Sequence, residues 1–209
     1  MNVGMPREVE WHGQKVRTSI WKAPATGRTR VDGLNLEGDR QSDLSVHGGP
    51  AKAVYAYPSE HYDYWRRELP GLDLPWGAFG ENLTTEGLLE PDLRIGDRLR
   101  VGTSELLVTQ PRMPCYKLAV RFGRDDMVRR FLASRRSGFY FAVLHEGEVG
   151  AGDSIDFTVR DDHDVSVADV TSLYVHADDQ DLLRRAVALP ALPEAWRDHF
   201  RRRLSDPDA

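Results

Sequence analysis

The chain has 209 residues, of which 40% are hydrophobic and 29% charged, with a formal charge of −5. That length suits one ordinary domain or a domain with a small appendage, and the balance is that of a soluble globular protein. The acidic excess argues against a nucleic-acid polymer as partner. The single cysteine excludes an internal disulfide framework and any all-cysteine zinc or iron–sulfur site made by this chain.

No stretch approaches the roughly 20 apolar residues a bilayer span needs, so no membrane partner is expected. Residues 1–20 lack a long apolar run and carry Arg7, Glu8, Glu10 and Lys15, which argues against a signal peptide. The expected location is the cytoplasm.

In chain order, the predicted strands are Val54–Tyr57, Arg98–Val101, Leu106–Thr109, Phe139–Leu144 and Ile155–Val159, each short, β-branched or aromatic and bounded by turn residues. Gly102–Thr103–Ser104 joins two of them as a hairpin. Ser59–Leu69 predicts a helix that starts at a capping serine and stops at Pro70–Gly71. Asp125–Arg135 predicts another, with Met127, Val128, Phe131 and Leu132 at helical spacing. Many strands with few long helices between them point to an antiparallel barrel or sandwich.

A polar run, Arg160–Asp161–Asp162–His163–Asp164, reads as a linker. Three short helices are expected after it. The first opens on Ser166 with Asp169 at capping-box spacing, and the second opens on Asp178 or Asp179 with Leu182, Leu183, Ala186 and Val187 inward. The third has Pro193 in its first turn and leads to Trp196, Phe200 and Leu204. This tail is expected to pack on the barrel or to bind a partner, giving units at 1–160 and 165–209. His145 and His176 stand alone among apolar residues and read as structural. Arg129–Arg130 and Arg201–Arg203 read as solvated helix faces.

Three segments carry candidate chemistry. Cys115 lies in Pro111–Arg112–Met113–Pro114–Cys115–Tyr116–Lys117, between two cations that favour a thiolate and after two prolines that stiffen the loop. Taken alone, it is either a buried small hydrophobe or a nucleophile or metal ligand. His47–Gly48–Gly49 is either a tight turn or a place where backbone N–H groups meet an anion, with His47 able to move a proton. Asp39 and Asp43 read as loop-fixing hydrogen-bond acceptors. Asn82, in Phe79–Gly80–Glu81–Asn82, offers both a donor and an acceptor. No dinucleotide fingerprint, P-loop or Gly-x-Ser-x-Gly elbow is found.

Together, GDRQSDLSVHGGPAKAVYAY, FGENLTTEGL, IGDRLRVG and QPRMPCYKL, in that order, resemble the MOSC domain family of molybdenum-cofactor proteins. The likeness is greatest to its small bacterial YiiM-like branch and runs from about Val16 to Val159. The tail is similar to that branch's three-helix domain. Ser19 stands where the family often has glycine.

The resemblance implies a mostly β, MOSC-type barrel with a few helices, plus a small all-α C-terminal three-helix domain. It implies a molybdenum cofactor (Mo-molybdopterin) whose metal is held by Cys115, with Arg112, Asn82, Lys117, Gly48 and Gly49 binding the cofactor. The implied activity is a molybdenum-dependent oxidoreductase that reduces N-hydroxylated compounds such as hydroxylaminopurine-type bases, a detoxification, with His47 as proton donor and a separate electron-donating reductase as partner. Two alternatives stand beside it: a non-catalytic carrier of the cofactor or of sulfur, and a metal-free enzyme with a cysteine nucleophile.

Overall fold

Strand alternation decides the layering of the computed structural model, which describes residues 1–42, 48–176 and 179–205. The N-terminal region supplies five short strands: β1 (Asn2–Val3), β2 (Arg7–Trp11), β3 (Gln14–Thr18), β4 (Ala23–Pro24) and β5 (Thr29–Val31). A 3-10 turn at Pro50–Lys52 then leads into β6 (Val54–Pro58), α1 (Glu60–Glu68) and β7 (Leu83–Thr85). After these come β8 (Arg98–Val101), β9 (Ser104–Pro111), α2 (Tyr116–Phe122), α3 (Met127–Ser134), β10 (Phe139–His145), β11 (Gly147–Val149) and β12 (Ile155–Val159). The chain ends in α4 (Val167–Val175), α5 (Gln180–Ala188) and α6 (Glu194–Ser205).

Six strands form one curled sheet, half of a barrel, in the order β12-β8-β9-β10-β6-β7. Its pairs are antiparallel except β6–β7, which run parallel. The exception follows from α1: a helix between two strands returns the chain to the same end of the sheet, and the next strand must then run parallel. Gly102–Thr103 closes the β8–β9 hairpin, with Val101 opposite Ser104. The N-terminal strands pair in twos outside this sheet, β1 with β4 and β2 with β3, while β5 pairs with β11.

The sheet is covered on both faces. Along β6, Val54 and Ala56 enter one apolar cluster while Tyr55 and Tyr57 enter another, as the two-residue period of a strand requires. Along β10, Phe139 and Phe141 join the first cluster and Tyr140 packs against the second. Burial on both faces explains why Val54–Tyr57 reads as an unbroken apolar run. The second cluster is aromatic, with Tyr62 and Trp65 of α1, Phe79, Phe122 of α2 and Phe131 of α3.

The first cluster continues without a break into the C-terminal helices through Val167, Val170, Leu173, Leu183, Leu192 and Phe200. Ser166 and Asp169 form the capping box expected of them, and Asp179 caps α5 by accepting from Leu182 N at 2.9 Å; Asp178 lies outside the described residues. The third helix begins one residue beyond Pro193, whose carbonyl accepts from Trp196 and Arg197 N–H. The acidic segment before α4 is pinned to the sheet: Asp161 N donates to Asp97 Oδ1 at 2.8 Å, and Arg94 pairs with Asp164 at 2.8 Å.

The sheet's edges are β7 and β12. On β12, Phe157 and Val159 are exposed, and the Arg160 guanidinium lies 4.4 Å from the Phe157 ring centroid. No described helix is long and apolar enough to cross a membrane. His145 and His176 depart from expectation: both are exposed, and His145 Nδ1 lies 2.6 Å from Glu105 Oε2. His145 ends β10, where side chains alternate outward regardless of apolar neighbours in sequence, and His176 is the C-cap of α4.

Gly138 begins the turn into β10 at φ 62°, and its N–H donates to buried Glu90 at 2.7 Å. A Cβ there would lie 2.4 Å from Ala56 O and 2.8 Å from the Tyr57 ring. Strain and clash combine, so Gly138→Ala is expected to lower stability by at least about 2 kcal/mol. Urea unfolding should show this as a lower midpoint with an unchanged slope.

Candidate functional site

Strand β9 delivers the chain to Pro111, and Pro114 has no N–H to donate, so the short passage to α2 has few conformations open to it. Arg112 N–H donates to Gly138 O at 3.3 Å, tying the passage to β10. Cys115 is then the N-cap residue of α2, in extended conformation, with its carbonyl accepting from Leu118 N at 2.9 Å. Its side chain makes no cap bond and is half-buried. The sulfur is therefore held by backbone geometry on both sides and is left to face the adjoining cleft.

That cleft encloses about 590 Å³, open space at its mouth included. Its walls come from the N-terminal segment (Thr18, Ser19, Ile20, Lys22), from Asp39, Gln41 and Ser42, and from Lys52, Tyr55, Asn82, Arg112, Cys115, Lys117 and Tyr140. The sequence-based candidates Cys115, Arg112, Lys117 and Asn82 thus meet in one place. Gly48 and Gly49 lie outside the described lining; Gly49, at φ 96°, caps the Pro50–Lys52 turn that carries Lys52. His47 and Asp43 lie outside the described residues.

Arg112 is the most unusual member. It is 6% exposed, and its guanidinium lies 5.3 Å from the Tyr55 ring and 5.0 Å from the Phe131 ring. Burial works against its charge, but Tyr55, Tyr140, Cys115 and Tyr57 around it more than compensate, and its pKa lies above the ordinary arginine value. Burial in turn pushes the Tyr55 and Tyr140 hydroxyls above the usual phenol value, with Arg112 opposing in part. Nη1 of Arg112 is buried and has no hydrogen-bond partner among the described residues, as is true of Ser19 Oγ and Gln41 Oε1 in the same walls. Buried polar atoms left unpaired are costly, and three of them meet in this cleft.

The other cations are placed differently. Lys117 Nζ donates to Ser42 Oγ at 3.1 Å. Lys22 pairs with Asp39, both side chains being under a tenth exposed. Asp39 also accepts from Gly4 N at 2.7 Å and from Asn82 Nδ2 at 2.9 Å, which confirms its expected part as a loop-fixing acceptor. Asn82 is engaged at both ends of its amide, since its Oδ1 accepts from Tyr55 N at 3.1 Å. Lys52 is half-buried, and burial pulls its pKa below the usual lysine value. Lys22 and Lys52 were not picked out from the sequence: each stands in an unremarkable stretch, and only tertiary folding brings them to Cys115.

The curled sheet, the cysteine at the head of α2 and the cationic cleft define the class of protein. The MOSC domain model matches residues 43–156, and the chain belongs to that family. A second model, the YiiM-like 3-alpha helix domain, matches residues 165–206. Within the family, the chain is 41% identical to the uncharacterized protein YflK of Bacillus subtilis over 96% of its own length and 90% of that protein's. The crystal structure of YiiM from Geobacillus stearothermophilus superposes with a TM-score of 0.81 at 34% identity, covering 97% of this chain and 96% of that one. A longer protein of Gibberella moniliformis named "Reductase" is 35% identical over 71% of this chain and 27% of its own length.

Lys52 gives this cleft a pH signature. An anion favours its charged form, so affinity is fullest below the lowered Lys52 pKa and declines as pH rises through it. Calorimetric titration with inorganic pyrophosphate from about pH 7 to about pH 10 should show that decline, and Lys52→Gln should flatten it.

Proposed function

We propose that this chain binds a molybdenum cofactor in the cleft, with Cys115 as metal ligand, and reduces N-hydroxylated compounds such as hydroxylaminopurine-type bases. The observation that carries the proposal is the juxtaposition of Cys115 with a buried Arg112 whose Nη1 lacks a partner among the described residues. A soft thiolate suits such a metal, and a phosphate-bearing pterin suits unsatisfied cationic donors. The donor set therefore fits the group that family membership implies. The fungal relative named as a reductase supports redox chemistry in the family at the coarser level.

Bound there, the cofactor would supply two-electron redox chemistry. The chain's own residues then have definite tasks. Cys115 fixes the metal from a backbone that cannot easily shift. Arg112 and Lys117 receive phosphate oxygens, Arg112 with an orientation set by the Tyr55 and Phe131 rings. Asn82, in the cleft wall, holds Asp39 and the Tyr55 backbone in place. Gly48 and Gly49 shape the approach, and His47 is assigned proton delivery to the leaving hydroxyl.

The net change is two electrons and two protons taken up as N–OH becomes N–H, with one water released. This chain has one cysteine and no flavin or nicotinamide fingerprint, so the electrons come from a separate reductase.

Wild type, Cys115→Ser and Arg112→Met are to be expressed in a host that makes the cofactor, and metal and pterin measured per chain. The wild type should hold both near stoichiometrically and reduce a hydroxylaminopurine with a chemical electron donor. Cys115→Ser should lose most of the metal. Arg112→Met should bind the pterin about tenfold or more weakly, the worth of one hydrogen bond to a charged group. Equal contents in all three would overturn the assignment.

A further inference from the structure

The C-terminal helices are joined to the cleft by a short polar relay. Trp196 on α6 donates from Nε1 to Gln110 Oε1 at 2.7 Å. Gln110 is buried on β9, and its Nε2 donates to the carbonyl of Ala51 at 3.2 Å. The same carbonyl accepts from Thr109 Oγ1 at 2.7 Å. Ala51 is the middle residue of the Pro50–Lys52 turn, and the Lys52 carbonyl accepts from Gln41 Nε2 at 2.9 Å. Both Lys52 and Gln41 line the cleft.

The geometry is that of a strut. The Trp196 indole is set by the rings of Tyr174 and Phe200, at 5.6 and 5.7 Å between centroids, so the direction of its N–H is fixed within the bundle. Gln110 spends its acceptor on the helix and a donor on the turn, so both ends of one amide are used to span the two. A buried amide that loses either partner is left with an unsatisfied group, so the two contacts support each other. The bundle also meets the barrel through apolar side chains such as Val170 and Leu173, and through backbone bonds at the start of α4, where Val167 N donates to Leu93 O at 2.9 Å and Ala168 N to Glu90 O at 3.2 Å. These bonds lie away from the Pro50–Lys52 turn in sequence and do not involve it.

We propose that the C-terminal helices are a positioning element for the cleft: through Trp196, Gln110 and the Ala51 carbonyl they hold the Pro50–Lys52 turn, and with it Lys52, in place for a bound anion. The inference rests on the cofactor reading for the identity of the anion, but not for the existence of the strut. Trp196 and Gln110 are positioning residues, acting through the turn rather than on a ligand.

Hydrogen exchange by mass spectrometry on the intact chain tests it, with Trp196→Phe, Gln110→Met and the double variant, each beside inorganic pyrophosphate titration. Trp196→Phe keeps an aromatic ring but removes the donor together with part of the indole, and Gln110→Met cuts the same strut without touching that packing. Each single variant should speed exchange in peptides covering residues 48–53 by roughly five- to tenfold, the worth of one hydrogen bond, while peptides of β8 and α1 stay unchanged. The double variant should be no faster than the singles, because cutting one strut twice changes little.

Pyrophosphate should bind more weakly to all three than to the wild type. Unchanged exchange at 48–53 in Trp196→Phe, or effects that simply add in the double variant, would overturn the strut. Faster exchange together with no pyrophosphate binding even by the wild type would uphold the strut and sink the cofactor reading instead.

Discussion

The cleft is organised around one buried carboxylate. Asp39 is 5% exposed and takes hydrogen bonds from Gly4 N and Asn82 Nδ2 while pairing with Lys22. An ionised carboxylate removed from water costs several kcal/mol unless its oxygens are fully matched, so these three partners are bound to it as much as it is to them. They come from separate parts of the chain: the first strand pair, the segment after β3, and the approach to β7. Asn82 then passes the constraint to the Tyr55 backbone in the sheet. A wall assembled from remote segments thereby acquires one geometry, and the pair neutralises Lys22 so that the charge left facing a ligand comes chiefly from elsewhere in the lining.

The sheet carries the second constraint. With both faces covered, each residue step along β6 and β10 chooses between a dry apolar layer and an aromatic layer that opens into the cleft. Tyr55 and Tyr140, 5.1 Å apart between centroids, form the edge of the aromatic layer. Arg112 lies over Tyr55 and Phe131, exchanging hydration for ring faces and for the polar groups around it. A buried guanidinium held this way cannot swing out to solvent, and Cys115, three residues on, inherits the same fixed frame.

Much of this was legible in the sequence, for identifiable reasons. Five of the six strands of the curled sheet announce themselves because they are flanked by turn residues and end near where the hydrogen bonding ends, whereas the β2–β3 hairpin, polar along most of its length, was missed. Ser166, Asp169 and Asp179 announce helix starts because capping is a local interaction. Helix α2 was missed: at seven residues it is too short to display a period, and its first residue is the cysteine that looked like part of a loop. The parallel β6–β7 pair was missed because orientation depends on where a crossover lands. At the site, Cys115, Arg112, Lys117 and Asn82 were found through motifs, whereas Lys22, Lys52 and Tyr140 required knowledge of which remote segments meet. The histidines misled for a simple reason: apolar neighbours in sequence say little about which way a side chain faces at the end of a strand, as at His145, or at the C-cap of a helix, as at His176.

The open sheet has a consequence for the protein's behaviour in a crowded solution. An unclosed half-barrel presents edge strands, and an edge with exposed Phe157 and Val159 invites a foreign strand to add on. Arg160 lays its guanidinium across the Phe157 ring, placing a charge where an incoming strand would settle. The pinned acidic residues that follow extend the same guard. The segment between sheet and helices thus does more than connect: it sets charged groups beside an apolar sheet edge, an arrangement that disfavours strand addition.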